Sequence, residues 1–93
     1  MPYSQNVIDA VADADRTKLG NQLGRWAIYR DFPVTKIATA LGVTRQTVYN
    51  WFTGGDVFVA YRNRAELLLK VLQDSSNADE AWRRICAEYG LKA

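Results

Sequence analysis

A single glycine, Gly42, lies between two short helical patterns, residues 34–41 and residues 45–52, and this junction most constrains the fold. Apolar residues recur at helical spacing in both patterns, and these are Ile37, Ala38, Leu41, Val48, Trp51 and Phe52. Glycine adopts a positive φ without a Cβ clash, so Gly42 can end the first helix before Thr44 caps the second. Because Ala38 is small and precedes Gly42 by four residues, we expect the two helices to cross closely and steeply.

The second predicted helix presents polar residues on the side opposite its apolar stripe. We expect six of these to contact DNA bases, namely Thr44, Arg45, Gln46, Tyr49, Asn50 and Thr53. Arg45 can bond both acceptors of a guanine edge, and Gln46 or Asn50 can bond adenine in the same bidentate manner. Thr44 can also cap the helix and donate to a phosphate, whereas Tyr49 can contact the DNA backbone or a thymine methyl group. The alternative is an ordinary polar helix face exposed to water.

Three basic residues are predicted to contact DNA phosphates beside this helix. Lys36 stands in the first turn of the helix at residues 34–41, which would lie over the DNA backbone. Arg62 and Arg64 precede and open the next predicted helix, so they can hold a phosphate together with its N-terminus. Solvated basic residues without a ligand are the alternative interpretation.

The composition excludes several classes of function. The chain has no histidine and one cysteine, so it lacks the clustered ligands of a zinc site and any Ser-His or Cys-His catalytic pair. It also has no glycine-rich phosphate-binding sequence. We therefore expect no enzymatic activity, no metal, no cofactor and no small-molecule substrate. The lone cysteine and the lack of a secretory leader or long apolar run predict a cytoplasmic location without membrane contact.

The formal net charge of +2 conceals an uneven distribution. Side chains of residues 1–15 carry a charge of −3, those of residues 16–70 carry +6 and those of residues 71–93 carry −1. Positive charge therefore collects around the two-helix segment, as a DNA-binding surface requires. A mixed, solvated surface is the alternative interpretation.

Helical periodicity also appears on both sides of the two-helix segment. It predicts four further helices, at residues 7–14, 16–30, 63–72 and 78–89. We therefore expect an all-α, compact bundle of five to six short helices. Gly20 and Gly24 weaken the helix that contains them, yet their four-residue spacing would permit another helix to approach closely. The chain is predicted to be one domain, residues 1–93, with its core in residues 16–72.

Other segments carry simpler expectations. Residues 57–61, VFVAY, are apolar and β-prone, so we expect an extended linker packed on the core or a single edge strand. A dimer strand or a wing beside DNA is the alternative there. Residues 1–6 are predicted to be a loose start, and Cys86 a small buried apolar residue. Each of the three tryptophans, Trp26, Trp51 and Trp82, falls on the apolar stripe of its helix. We therefore expect them in the core rather than as stacking platforms for single-stranded nucleic acid.

Residues 34–53 resemble the helix-turn-helix of the Cro and phage-repressor-like group. The framework positions of that group are matched by Ala38, Gly42, Val43, Thr44, Val48 and Trp51. The sequence GVTRQTVYNWFTG, followed by YRNRAELL, is also similar to small phage-borne regulators, and the resemblance covers residues 16–72. It implies sequence-specific binding of double-stranded DNA by a small transcriptional regulator of a bacterial or phage-infected cell, with residues 45–52 in the major groove.

Such domains gain affinity by pairing on two half-sites, so a homodimer is expected, with Trp82 and Tyr89 of the last helix as its contact. Three alternatives remain open. The first is recognition of a DNA site for packaging or replication, as in terminase small subunits. The second is a helical protein-interaction module that acts on a host protein. The third is RNA binding, for which the sequence contains no specific motif.

Overall fold

The computed structural model describes residues 3–91 of the chain. This part contains six α-helices and no β-strand, which confirms the expected all-α bundle. The helices are α1 (Gln5–Asp13), α2 (Leu19–Tyr29), α3 (Val34–Leu41), α4 (Arg45–Phe52), α5 (Val59–Asp74) and α6 (Ala78–Tyr89). None of them is both long enough and apolar enough for a bilayer crossing.

The junction between α3 and α4 has the predicted geometry. Gly42 takes φ 71°, and its N–H donates to the Ala38 carbonyl over 2.9 Å. Val43 N–H donates to the same carbonyl over 3.0 Å, which closes a Schellman-type end. Thr44 then caps α4, because its Oγ1 accepts the Thr47 N–H over 3.2 Å. Because of this local capping, both helices begin and end at the residues predicted from the sequence.

The segment at residues 57–61 is neither a linker throughout nor a strand, so that prediction was wrong. Phe58 is the N-cap residue of α5, and the helix begins at Val59. The Tyr61 ring packs 5.9 Å from the Trp51 ring, centroid to centroid, and holds this first turn against α4. Packing therefore overrides the β-preference of the local residues.

The N-terminal residues 3–6 are ordered rather than loose, while residues 1 and 2 lie outside the described part. Tyr3 is buried, and its hydroxyl donates to the Phe32 carbonyl over 2.6 Å. Burial raises the pKa of this phenol far above its usual value, so it keeps the donated proton. Ser4 Oγ accepts the Val7 N–H, so α1 begins two residues earlier than predicted.

Helix α2 is the centre of the bundle and packs against α1, α4 and α5. A Cβ built on Gly20 would lie 2.6 Å from the Trp51 carbonyl oxygen, and one built on Gly24 would lie 2.7 Å from Phe52 Cγ. Both distances are far inside van der Waals contact. The predicted close approach of another helix at the two glycines is thus confirmed, and that helix is α4.

A buried amide fixes the C-terminal end of α4. Asn21 on α2 is fully buried, and its Nδ2 donates to the Phe52 carbonyl over 2.7 Å and to the Val11 carbonyl over 2.9 Å. Its Oδ1 accepts from Arg25 Nε over 2.7 Å. One side chain therefore binds a carbonyl in the last turn of each of two helices, where intrahelical donors run out. The last carbonyls of α5 bind Arg30, whose Nε lies 2.9 Å from the Leu72 oxygen.

In the turn after α2, Asp31 adopts a left-handed backbone conformation with φ 55°, which is unfavourable for a residue that has a Cβ. Phe32 N–H donates to the Ala27 carbonyl over 2.8 Å in this turn, a Schellman arrangement that favours glycine. We expect Asp31→Gly to raise the free energy of unfolding by about 0.5–1 kcal/mol in urea titration. Asp74→Gly is the control. Asp74 is exposed in the last turn of α5, so glycine at that position should lower the free energy of unfolding. A less stable Asp31→Gly protein would contradict this account of the turn.

Candidate nucleic-acid interface

The outward side of α4 forms a polar ridge, which we define as Arg45, Gln46 and Asn50. All three side chains are exposed, whereas Val48, Trp51 and Phe52 on the opposite side are almost fully buried. Gln46 and Asn50 lie one turn apart, and Gln46 Nε2 donates to Asn50 Oδ1 over 3.1 Å. The structure therefore brings these two amides together as a unit and leaves Arg45 beside them at the helix start.

The other three predicted base-contacting residues differ from the ridge. Tyr49 is half-buried, and its ring meets the Phe52 ring edge-on at 6.2 Å, so part of it belongs to the core. The exposed Thr53 donates its hydroxyl to the Tyr49 carbonyl over 2.9 Å. Thr44 is exposed as well, but its hydroxyl caps α4 and lies 3.0 Å from Thr47 Oγ1. These side chains hold the helix ends, so fewer of their polar atoms remain for a ligand.

Thr47 is a neighbour that the sequence analysis missed. It is half-buried one turn after Thr44, and the two hydroxyls share a hydrogen bond. The sequence signal for it was available, since Thr44 and Thr47 stand three residues apart, the spacing of a capping pair.

The segment of the chain that carries the ridge has no acidic residue. Residues 32–55 contain Lys36 and Arg45 and no aspartate or glutamate. The two ion pairs in the described residues, Lys18–Asp56 and Arg62–Glu66, do not involve Arg45. Lys18 also holds the pKa of Asp56 below its usual value, so this nearby carboxylate stays ionised and neutralised by its partner. An anion that approaches α4 thus meets a cation and the positive end of the helix.

The predicted phosphate-contacting residues are spread over the surface. Lys36 Nζ lies 5.3 Å from the ring centre of Trp82, so this ammonium sits against α6. Arg62 and Arg64 are both exposed, but residues two apart on a helix point roughly 200° away from each other. Arg62 lies 4.0 Å from Glu66, one turn ahead of it. The structure therefore does not bring Arg62 and Arg64 to one phosphate, and each remains a separate candidate.

The predicted dimer residues of α6 take part in packing within the monomer. Trp82 is half-buried, with its ring 6.2 Å from the Phe32 ring. Tyr89 is half-buried too, and its hydroxyl donates to the Arg64 carbonyl. This burial raises the pKa of Tyr89 to about 12. Cys86 beside them is buried, as predicted. Little of this apolar surface is left for a partner.

The comparison with known protein families agrees with this geometry. Residues 25–57, which run from the middle of α2 to just beyond α4, match a helix-turn-helix family model described as Homeodomain-like domain. No curated protein and no solved structure matches the chain. The matched segment supports the assignment of α3 and α4 as a helix-turn-helix.

Proposed function

We propose that this chain binds double-stranded DNA sequence-specifically as a small, phage-type transcriptional regulator of the Cro and repressor-like group. Its recognition helix is α4, which enters the major groove. The observation that carries the proposal is the ridge, three exposed polar side chains on a helix whose other side is locked into the core. Such a regulator acts in the cytoplasm on the nucleoid and needs neither catalytic residues nor a cofactor.

The ridge residues have complementary roles in reading bases. Arg45 offers paired donors to the N7 and O6 atoms of guanine. Because Gln46 donates to Asn50, the pair keeps the Gln46 carbonyl oxygen as an acceptor and the Asn50 Nδ2 as a donor. Adenine presents the matching N6 donor and N7 acceptor in the major groove. We therefore infer that the preferred site contains a guanine next to an adenine along the path of α4.

Contacts to the DNA backbone position the ridge. Thr44 and the N-terminus of α4 face one phosphate. Tyr49 and Thr53 lie near the other end of α4, where that helix leaves the groove. Lys36, Arg62 and Arg64 serve separate phosphates at the rim. One recognition helix covers only a few base pairs, so the chain works as a homodimer on half-sites about one helical turn apart.

Substitution of the ridge tests this proposal. We expect Arg45→Ala and Asn50→Ala each to weaken binding to the preferred duplex by roughly tenfold to a hundredfold, because each removes a bidentate base contact. The preferred duplex is first obtained by selection from random double-stranded DNA, and affinity is then measured by fluorescence anisotropy at fixed salt. Lys70→Ala is the matched control, since Lys70 is an exposed cation on α5 that is not among the predicted DNA contacts.

Two outcomes would overturn the proposal. One is a selection that enriches no duplex sequence even at low salt. The other is a loss of affinity for Arg45→Ala no larger than that for Lys70→Ala, which would indicate charge attraction without base reading. The first result would favour the module that acts on a host protein, and the second would favour DNA binding without sequence specificity. Enrichment of a single long site by a multi-subunit ring would instead favour the packaging role.

A further inference from the structure

The described residues leave an apolar groove open between α1 and α2. We call it the α1–α2 groove and define it by Ile8, Ala12, Arg25, Trp26, Ile28 and Tyr29. It consists of two shallow depressions that share Arg25, one of about 290 Å³ on α2 and one of about 250 Å³ between α1 and α2. Tyr29 is 71% exposed, an unusual state for so large an apolar side chain, and it meets the Trp26 ring edge-on at 5.4 Å.

The depression formed by Arg25, Trp26 and Tyr29 lies on the side of α2 that faces away from α4. Gly20 and Gly24 mark the side of α2 that touches α4. Tyr29 follows Gly20 by nine residues and Gly24 by five, which rotates it by roughly 180° and 140° around the helix. A partner in the groove would therefore leave the ridge of α4 free.

The two helices that border the groove carry opposite charge. Helix α1 contains Asp9 and Asp13 and no lysine or arginine, whereas α2 contains Arg25, is followed directly by Arg30 and has no acid. Asp9 on α1 is exposed and accepts only the amide of Gln5. The guanidinium groups of Arg25 and Arg30 donate to main-chain carbonyls, as well as to the Asn21 amide, and neither forms an ion pair within residues 3–91. One border is thus acidic and the other basic, with apolar surface between them.

We propose that a second copy of this chain occupies the α1–α2 groove and that the protein dimerises through it. A two-fold axis over the groove sets the acidic α1 of one copy against the basic α2 of the other, so the surface is complementary to itself. Trp, Tyr and Arg, which line the groove, are the residues that contribute most at protein interfaces. This proposal rests on the proposed function in one respect: a regulator that reads two half-sites must present two recognition helices.

A second exposed apolar pair, Phe58 and Val59, is the competing surface. A short turn joins it to the C-terminal end of α4, and in that turn the Gly55 N–H donates to the Asn50 carbonyl over 2.8 Å. A dimer formed there would place its interface where DNA must approach. It also lacks the paired acidic and basic borders that favour a second copy at the α1–α2 groove.

The test is the mass of the full chain in solution without DNA, by sedimentation velocity over a wide range of protein concentration. We expect the wild-type protein to reach twice its chain mass of 10.5 kDa. Tyr29→Glu should weaken dimerisation at least about 30-fold, as loss of a central aromatic contact does. Asp9→Lys should weaken it less, and high salt should reduce the difference. Phe58→Glu is a closely matched control, since Phe58 is 72% exposed, and it should leave the dimer intact.

Several results would overturn the dimer. These are a monomeric wild-type protein at every concentration, a dimer that Tyr29→Glu leaves unchanged, or a dimer that Phe58→Glu dissolves. Circular dichroism and thermal unfolding show whether Tyr29→Glu remains folded, as its exposure predicts. DNA binding is measured in a separate experiment. There Tyr29→Glu should bind a single half-site as tightly as the wild-type protein does, but it should lose the extra affinity for a duplex with two half-sites. Failure of DNA binding therefore leaves the mass measurement valid, and a monomer leaves half-site binding valid.

Discussion

Replacement of Gly20 by alanine is expected to lower the free energy of unfolding by about 3 kcal/mol. The added Cβ would lie 2.6 Å from both the carbonyl oxygen and the Cβ of Trp51. These atoms belong to the backbone and stem of α4, which cannot rotate away as a side-chain tip can. Alanine gains about 1 kcal/mol of helix preference over glycine, but separation of α2 from α4 opens the core and costs more.

Urea denaturation measures this change, and the melting temperature should fall by roughly 12–24 °C. Affinity for DNA should fall too, because the displaced α4 carries the ridge. Gly42→Ala separates the two roles of glycine. A Cβ there meets nothing within 4 Å, so its cost, about 1 kcal/mol, comes from φ 71° alone. If Gly20→Ala were as stable as the wild-type protein, the two helices would not be in the close contact described.

Replacement of Asn21 by leucine is expected to cost about 3 kcal/mol, although both side chains branch at Cγ and have the same number of heavy atoms. The Phe52 carbonyl would lose its 2.7 Å hydrogen bond inside the core, and no water can reach it. The Val11 carbonyl would keep two longer bonds of 3.3 Å, one from Arg25 Nη2 and one from the Ala14 N–H. An unsatisfied buried carbonyl costs about 1–3 kcal/mol, and here one carbonyl is orphaned and a second weakened.

Gln22→Leu is the matched control for this substitution. Gln22 follows Asn21 on α2, and its Nε2 donates to the Arg16 and Thr17 carbonyls over 3.2 and 3.5 Å. These bonds are exposed, so water can replace them and the change should stay within about 0.5 kcal/mol. Equal losses for the two variants in urea denaturation would show that burial of the Asn21 amide has no special weight.

The helix bounds that the sequence predicted well are those set by local chemistry. Helices α3, α4 and α6 begin and end at the predicted residues, because Gly42, Thr44, Asn77 and Gly90 act within one turn of their positions in the sequence. The start of α2 was predicted three residues early. There the Asp15 carboxylate accepts the Thr17 N–H and hydroxyl, which forms a turn before the helix.

Features that depend on distant partners could not be predicted. The first turn of α5 is helical because Tyr61 meets Trp51, and no local pattern indicates that contact. The role of Asn21 likewise depends on carbonyls 10 and 31 positions away in the chain. The ridge residues were predicted as exposed, since the apolar stripe of α4 fixes which side faces outward. Whether they contact bases stays a prediction.

The ridge on α4 adds almost nothing to the cohesion of the monomer, since Arg45, Gln46 and Asn50 touch solvent and one another. Their replacement should leave folding nearly intact while altering what the protein prefers to bind. Selection could then move such a chain from one target to another by a few codon changes, without first compensating for lost stability. The same property makes this small bundle a convenient starting point for laboratory retargeting.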